Sequence, residues 1–386
     1  GQIIDSLHKT PKYSAKGFPM VRVTDIKGGY LKLDGTFKVS EAVFQEFSAK
    51  HKSQKGDIVM SRVGTYGVSS LVDSEESFCL GQNTLFIVNT ETPKFVFYSL
   101  QSPYVQAQIE AKSTGASQKT ISLKSIRELA IPCPPITTQH KIASILSAYD
   151  DLIENNLKRI RLLEEAAQHL YREWFVRFRF PGWEEVTVVD ELPEGWERKI
   201  IKDFGEVITG KTPSTENQSF FGGEIPFVKT PDMHGNTFVI STSTTLTESG
   251  AESQKNKYLP LLSVMVSCIG TAGVVSLAAD TCQTNQQINS IVLDQEYKSF
   301  YAYFFSKGLK GHLEGLGSNG ATFVNVNKNK FENIEIIVPL EDLLIEFGRI
   351  AKPIFNQILT LQRQSQKLKE ARDILLPRLM NQTLKV

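Results

Sequence analysis

An α+β chain with two similar α/β heads, separated by two long antiparallel helices of coiled-coil type and related by pseudo-two-fold symmetry, is the fold this sequence predicts. Three observations predict it. One pattern of residues occurs twice, at an offset of about 205. Each copy sets short β-rich runs around glycine-bounded turns. Each copy then closes in an amphipathic helical stripe with no partner in its own half.

The repeat can be followed along the chain. Pro19-Met20-Val21-Arg22-Val23-Thr24-Asp25, with Gly28, is echoed by Pro226-Phe227-Val228-Lys229-Thr230-Pro231-Asp232, with Gly235. Val63-Gly64-Thr65-Tyr66-Gly67-Val68 is echoed by Ile269-Gly270-Thr271-Ala272-Gly273-Val274, and Gly115-Ala116 and Pro134 by Gly320-Ala321 and Pro339. In the first copy, strands are expected at 58–63, 68–72 and 84–88, and a helix at 95–109. In the second they are expected at 264–269, 274–279 and 288–293, with a helix near 300–313. The resulting organisation is a first head at 1–135, a helical region at 136–191, a second head at 192–340 and a second helical region at 341–386.

The helical regions carry the same offset, pairing Ile153 with Ile358, Leu163 with Leu368 and Leu170 with Leu375. A short helix is expected at 137–146, then a long one from Asp150 to about Arg177. Its stripe is Ile153, Leu157, Ile160, Leu163, Ala167, Leu170 and Trp174, in steps of three and four near heptad period. The second stripe is Ile354, Ile358, Leu361, Leu368, Leu375 and Leu379. Glu164 interrupts the first, and Ser365 and Arg372 the second. Each stripe needs an apolar partner, and the economical partner is the other helix, antiparallel if the repeats are symmetric. From Asp150 to Arg177 the helix spans about 42 Å, roughly 12 base pairs of duplex DNA. A molecule of two equal halves suits a target that is itself two-fold, and duplex DNA is one.

Composition narrows the function classes. Hydrophobic residues make up 41% and charged residues 22%, as in ordinary globular proteins. No apolar run approaches a membrane span and no signal peptide opens the chain. Cys79, Cys133, Cys268 and Cys282 lack metal-ligand spacing and read as reduced thiols of a cytoplasmic protein; no metal site is expected. The formal charge is +1, divided as +4, −3, −3 and +3 over the four regions. DNA, if it is the ligand, must be held by local patches or with help from basic partners.

Two motifs imitate catalysis. Gly205-Glu206-Val207-Ile208-Thr209-Gly210-Lys211-Thr212 satisfies the phosphate-loop expression, but Trp196-Glu197-Arg198-Lys199 before it is too charged for a buried strand, and no helical period follows. Gly315-Leu316-Gly317-Ser318-Asn319-Gly320 matches a dinucleotide fingerprint in the wrong order, after a helix and before the β-like Thr322-Phe323-Val324, and reads as a turn. No catalytic residues are assigned. A P-loop ATPase using Gly205 to Thr212, or a tandem-repeat interaction module without a DNA role, are the alternative readings to a DNA reader.

Several short patterns recur in order. Leu192-Pro193-Glu194-Gly195-Trp196 opens the second head, and Gly210-Lys211-Thr212-Pro213 follows. Next come Ile225 to Val228, the strand and glycine turn of Ser263 to Gly273, and Asn285-Gln286-Gln287. The first head closes on Pro134-Pro135, Gln139, Ile142-Ala143 and Ile145-Leu146. With these patterns the chain resembles, over essentially its whole length, the specificity subunit of type I restriction-modification systems. It departs in two places. The second copy has Pro339-Leu340-Glu341-Asp342 in place of the Pro-Pro/Gln signature. The first lacks a counterpart of 192–202, which suggests a trimmed or tagged N-terminus and a head edge completed from elsewhere.

The resemblance implies a non-catalytic subunit whose heads each read half of a split sequence in double-stranded DNA, with the helices as spacer. It implies two methyltransferase subunits that bring S-adenosylmethionine, and restriction/translocase subunits that use ATP and Mg2+. The chain itself is expected to bind no cofactor. Given that role, basic and hydrogen-bonding side chains on loops are the expected DNA contacts. They are Lys12, Lys16, Arg22, Lys27, Arg62, Tyr66 and Lys119 in the first copy, and Lys211, Lys229, His234, Lys255, Lys257 and Lys328 in the second. Gln82-Asn83 and Asn285-Gln286-Gln287 occur in both copies, whereas two half-sites should differ, so these amides are expected to tie loops to backbone.

Overall fold

The computed structural model describes residues 1–88, 90–115, 118–317 and 324–386. They form two compact units. Unit 1 is Gly1–Glu154 with Lys367–Val386, and unit 2 is Asn155–Gln366. Each unit therefore holds one head together with a stretch of each long helix.

In unit 1 the main sheet has the order Gln2–Asp5, Thr84–Val88, Ile58–Ser61, Ser69–Leu71. Its central strands are buried on both faces, and side chains alternate between two cores with the strand period of two. Ile58, Met60, Leu85 and Ile87 face a cluster with helix residues Phe95, Tyr98, Leu146 and Leu379. Val59, Phe86 and Val88 face the other side, with Val21, Phe78 and Leu80. A second sheet runs Tyr13–Ser14, Phe37–Val39, Phe18–Val21, Cys79–Leu80.

Unit 2 repeats the main order with one strand more: Glu206–Thr209, Ile288–Val292, Val264–Ser267, Val275–Ala278, Phe238–Val239. In unit 1 that fifth strand is reduced to a bridge between Tyr30 and Leu71. Unit 2 also pairs Glu197–Ile200 with Glu335–Val338. The matching stretch of unit 1, 130–133, has no strand beside it among the described residues. A cavity of about 540 Å3 lies there, lined in part by Gly1, Ile3, Leu129 and Ile131.

The glycine turn is built alike in both units. Gly67 and Gly273 have positive φ, 78° and 81°, and donate their N–H to Ser61 and Ser267 carbonyls at 2.8 and 2.9 Å. A Cβ at Gly67 would sit 2.7 Å from Ile109, and one at Gly273 2.9 Å from the Lys310 backbone. Conformation and space both demand glycine there.

Helices depart from the sequence expectation at their boundaries. The expected 95–109 helix is two, Pro93–Gln101 and Pro103–Lys112, because Pro103 cannot donate an N–H and Ser102 caps the new start through Val105 N–H. The second copy likewise gives Glu296–Gly308 and Lys310–Gly317. Gly315 to Gly317 thus end a helix and do not form a turn, and 318–323, with Gly320-Ala321 and Thr322-Phe323, lie outside the described residues, as does Ala116.

The expected 137–146 and 150–177 helices are one, Ile136–Tyr171, continued by the π-turn Arg172–Val176 that carries Trp174. The second helix starts earlier than Ile354, at Glu341, and runs to Met380 through Pro353. A proline inside a helix costs roughly 3 kcal/mol. Leu344, Phe347, Ala351, Phe355 and Ile358 are all buried in the unit 2 core, and each large apolar side chain buried returns about 1.5–3 kcal/mol, so packing wins. At 36 and 40 residues the helices are about 54 and 60 Å long.

Of the expected stripe residues, Leu157 is misplaced: it is 50% exposed. A straight helix drifts about 20° per heptad against a 3.5 repeat, and in unit 2 the inward positions are Asn156, Ile160 and Ala167. Ile160, Ala167, Trp174, Ile358 and Leu361 are buried in unit 2, with Leu163, Leu170 and Ile354 packed against them. Leu379 is buried in unit 1 with Leu375 against it. Ile153 and Leu368 are half-buried.

Polar side chains of the long helices mark where heads meet them, although the Ser365 hydroxyl bonds the Leu361 carbonyl of its own helix. In unit 1 the buried Tyr98 hydroxyl donates to Asp150 Oδ2 at 2.6 Å, and Arg372, from the second helix, pairs with the same carboxylate. In unit 2 the Tyr303 hydroxyl donates to Glu164 Oε1 at 2.6 Å, and Lys307 pairs with it. Gln362 closes on both backbone groups of Phe238, at 3.1 and 3.2 Å. Gln139, of the Pro-Pro/Gln signature, accepts from Thr92 at 2.6 Å and donates to the Pro134 carbonyl at 2.8 Å.

Arg372→Ala leaves Asp150 buried with its charge uncompensated and lowers unit 1 stability by roughly 3–5 kcal/mol, read by hydrogen exchange in Ile58–Ser61 and Thr84–Val88. Burial alone would raise Glu164, but hydrogen bonds from Lys307 and Tyr303 outweigh it and hold the carboxyl below its ordinary value of 4.5. A depressed carboxyl stabilises above that value, and the stabilisation is lost as pH falls through the folded-state value. Unit 2 should therefore lose stability as pH falls below about 4.5, and Glu164→Gln should flatten that part of the pH profile in thermal denaturation.

Candidate nucleic-acid interface

The two heads present equivalent loops at the ends of equivalent strands. In each, a basic residue follows a buried strand, and its N–H is held by an aspartate three positions on: Arg22 by Asp25 and Lys229 by Asp232, both at 2.9 Å. The next segment closes over it, with Gly81 N–H bonded to the Val21 carbonyl at 2.8 Å and Asn285 N–H to Val228 at 3.1 Å. The loops are thus fixed by backbone hydrogen bonds, and the exposed side chains on them vary between copies.

Several expected contacts are tied inside the protein. The Arg22 guanidinium bonds Asp25 at 3.1 and 3.3 Å and lies 3.9 Å over the Phe37 ring. Arg62 pairs with Asp5 at 2.8 Å, mostly buried, and also reaches the Ile121 carbonyl. Lys229 Nζ donates to Thr244 Oγ1 at 2.7 Å. These side chains position backbone.

Around the first glycine turn the structure brings Arg62, Tyr66 and Lys119 together. Gly64 N–H bonds the Lys119 carbonyl at 3.2 Å, and Ile121 N–H bonds that of Arg62 at 3.0 Å. Tyr66 and Lys119 both bond Glu110. Lys119 first, then Tyr66, holds this exposed carboxyl below its usual range, so a phosphate would have to displace it.

Other candidates are open to solvent, Lys257 only in part. Lys12 and Lys16 flank the strand Tyr13–Ser14, and Lys27 borders a cavity of about 240 Å3 with Tyr30, Lys32 and Glu154. In unit 2, Lys211 is exposed, and its backbone carbonyl accepts from Gln254 Nε2 at 2.8 Å. Lys255 and Lys257 lie in the 3-10 turn that follows Gln254. Among the described residues no ion-pair partner reaches Lys12, Lys16, Lys27, Lys211, Lys255 or Lys257, whereas Lys32 pairs with Glu154. His234, exposed, ends the short helix Thr230–Met233. Lys328 opens the helix Lys328–Glu332, 3.8 Å from Glu332. Val326 N–H, just before it, bonds the Cys268 carbonyl at 3.0 Å, beside the second glycine turn.

The amide runs tie loops together. Asn285 Nδ2 donates to Gln287 Oε1 at 3.0 Å, Gln286 accepts from Thr212 at 2.7 Å, and Gln82 reaches Thr10 at 3.5 Å. Sequence reasoning missed Gln254 and Gln283, buried partners at 2.8 Å that brace the Lys211 loop. Neither falls on a periodic stripe, so nothing in the sequence flagged them.

The glycine and lysine amides that a phosphate loop would turn to its ligand are already engaged here. Gly210 N–H bonds the Ile288 carbonyl at 3.1 Å and Lys211 N–H that of Thr284 at 2.9 Å. A Cβ at Gly210 would lie 2.2 Å from the Asn285 carbonyl oxygen, so this glycine serves a close backbone approach. Among the described residues no three His, Cys, Asp or Glu side chains gather as metal ligands, and no helix is long and apolar enough to cross a membrane.

The family described as a type I restriction modification DNA specificity domain matches this chain twice, over residues 5–165 and 193–370. The specificity subunit of the type I restriction enzyme HindI from Haemophilus influenzae is 31% identical, over 86% of this chain and 87% of that protein. That of the enzyme MjaIX from Methanocaldococcus jannaschii is 26% identical, over 86% and 78%. The solved S subunit of a type I restriction-modification system from M. genitalium shares the fold, with a TM-score of 0.57 at 16% identity, covering 98% of this chain and 93% of that one.

Because the Gly205, Gly210 and Lys211 amides are already bonded, millimolar ATP with Mg2+ should leave both the thermal midpoint and hydrogen exchange at these residues unchanged. ATP-dependent protection of these amides would reveal a phosphate cradle.

Proposed function

The chain belongs to the type I restriction modification DNA specificity family, and on that premise we propose that it selects the DNA sequence on which a type I restriction-modification complex acts. Each head reads one half of a two-part site, and the long helices set the distance between halves. The observation that carries this reading is the doubled head, with one strand order and one glycine turn in both copies but different exposed side chains on the loops.

Reading needs hydrogen-bond donors on base edges and cations on phosphates, not chemistry. Lys12, Lys16 and Lys27 in unit 1, with Lys211, His234, Lys255, Lys257 and Lys328 in unit 2, supply these contacts. Arg22, Arg62 and Lys229 hold the loops in shape, and Tyr66 and Lys119 join in once Glu110 is displaced. So few open cations on a chain of charge +1 leave much of the DNA backbone to partner subunits. Two methyltransferase subunits bring S-adenosylmethionine, and restriction/translocase subunits use ATP and Mg2+. The assembly works in the cytoplasm, where the DNA is.

Seven residues inserted into each long helix, beside Glu154 and beside Gln366, add two turns and keep the stripes in phase. Each helix lengthens by about 10 Å, or roughly three base pairs at 3.4 Å each. Methylome sequencing should find both half-sites unchanged and the gap between them about three base pairs longer. An unchanged gap would show that the helices are not the ruler.

A further inference from the structure

Tyr98 and Tyr303 occupy equivalent places in the two copies and do the same thing with different partners. Both are buried, 2% and 1% exposed. Both sit on the helix that follows the main sheet, Pro93–Gln101 in one unit and Glu296–Gly308 in the other. Each donates its hydroxyl at 2.6 Å to a carboxylate of the first long helix. The acceptors are not related by the repeat. Asp150 corresponds to Phe355, which is buried against Tyr303 and Phe300, and Glu164 corresponds to Lys369. The supporting cation differs as well, Arg372 from the second helix in unit 1 and Lys307 from the head in unit 2.

A bond kept in both copies while its surroundings diverge answers a requirement that both heads share. Both heads contact the long helices through broad apolar surfaces, and such surfaces tolerate small slips and rotations. The contact between a hydroxyl and a charged acceptor is short and directional. Burial and the neighbouring carboxylate together push both phenols up, so each hydroxyl keeps its proton and remains a donor at any physiological pH.

We infer that Tyr98 and Tyr303 are positioning residues for DNA reading, locking each head to one turn of the first helix so that the spacing between half-sites is enforced to the base pair. This rests on the two-part reading proposed above. The tyrosines touch no base, so they govern the tolerance in spacing and not the half-site sequences.

The test uses the whole complex with its methyltransferase subunits and compares methylomes of unaltered protein, Tyr98→Phe and Tyr303→Phe. Phenylalanine keeps the ring that packs and removes only the hydroxyl. A hydrogen bond to a charged group is worth enough to change a ratio of states by about tenfold or more. Each variant should keep both half-sites and raise methylation at sites one base pair too long or too short, relative to correct sites, by about that factor. If either variant fails to fold, Glu164→Gln, which keeps an acceptor for Tyr303 but gives up the charge, should give a smaller broadening in the same direction. Methylation that falls equally at all sites, with one spacing retained, would overturn the inference, since a purely structural role predicts that. Absence of any two-part site in the unaltered protein would overturn the functional reading instead.

Discussion

Burying a charge on an amphipathic helix is costly unless a partner neutralises it on the spot, and that constraint fixes where each head grips the long helices. Asp150, Glu164 and Arg372 stand where apolar residues would otherwise continue the stripes. Each meets a specific partner: Asp150 is bonded by Tyr98 and Arg372 in unit 1, and Glu164 by Tyr303 and Lys307 in unit 2. Gln362 adds a neutral version, satisfying both backbone groups of Phe238. Apolar packing supplies most of the adhesion, but these polar contacts choose one register. A head that slid by one helical turn would strand a carboxylate in a hydrophobic core.

Function then follows from separating two tasks. Strands, glycine turns and tied cations such as Arg62 and Arg22 make each head a rigid platform. Exposed lysines and loop side chains on that platform are free to differ between copies, as two halves of an asymmetric site require. The modest net charge limits what this chain alone contributes to holding DNA, because affinity for the phosphate backbone grows with each cation that contacts it.

Much of this was legible in the sequence, and for physical reasons. The repeat survived in the glycine turns because only glycine fits both the φ and the space at Gly67 and Gly273. Strands such as Thr84–Val88 were clear because continuous apolar runs between turns leave few alternatives. Helix boundaries were less clear: Pro353 looks like a stop, and only the burial of Leu344, Phe347 and Ala351 carries the helix through it. Leu157 was misread because a heptad stripe and a straight helix drift apart. Among the candidate contacts, Arg62 carried no sign of its internal partner, since Asp5 lies far from it in sequence, whereas the partner of Arg22, Asp25, stands three residues away within the repeated pattern. Glu164 and Arg372 were visible as interruptions, and the partners that explain them come from other elements of the chain.

The most direct test of the central claim is a comparison of the host methylome with and without this chain, the methyltransferase subunits being present in both. The account predicts one methylated sequence made of two short parts with a fixed gap, present only with the chain and absent when it is deleted. A single uninterrupted site, or a methylome that does not change on deletion, would contradict it.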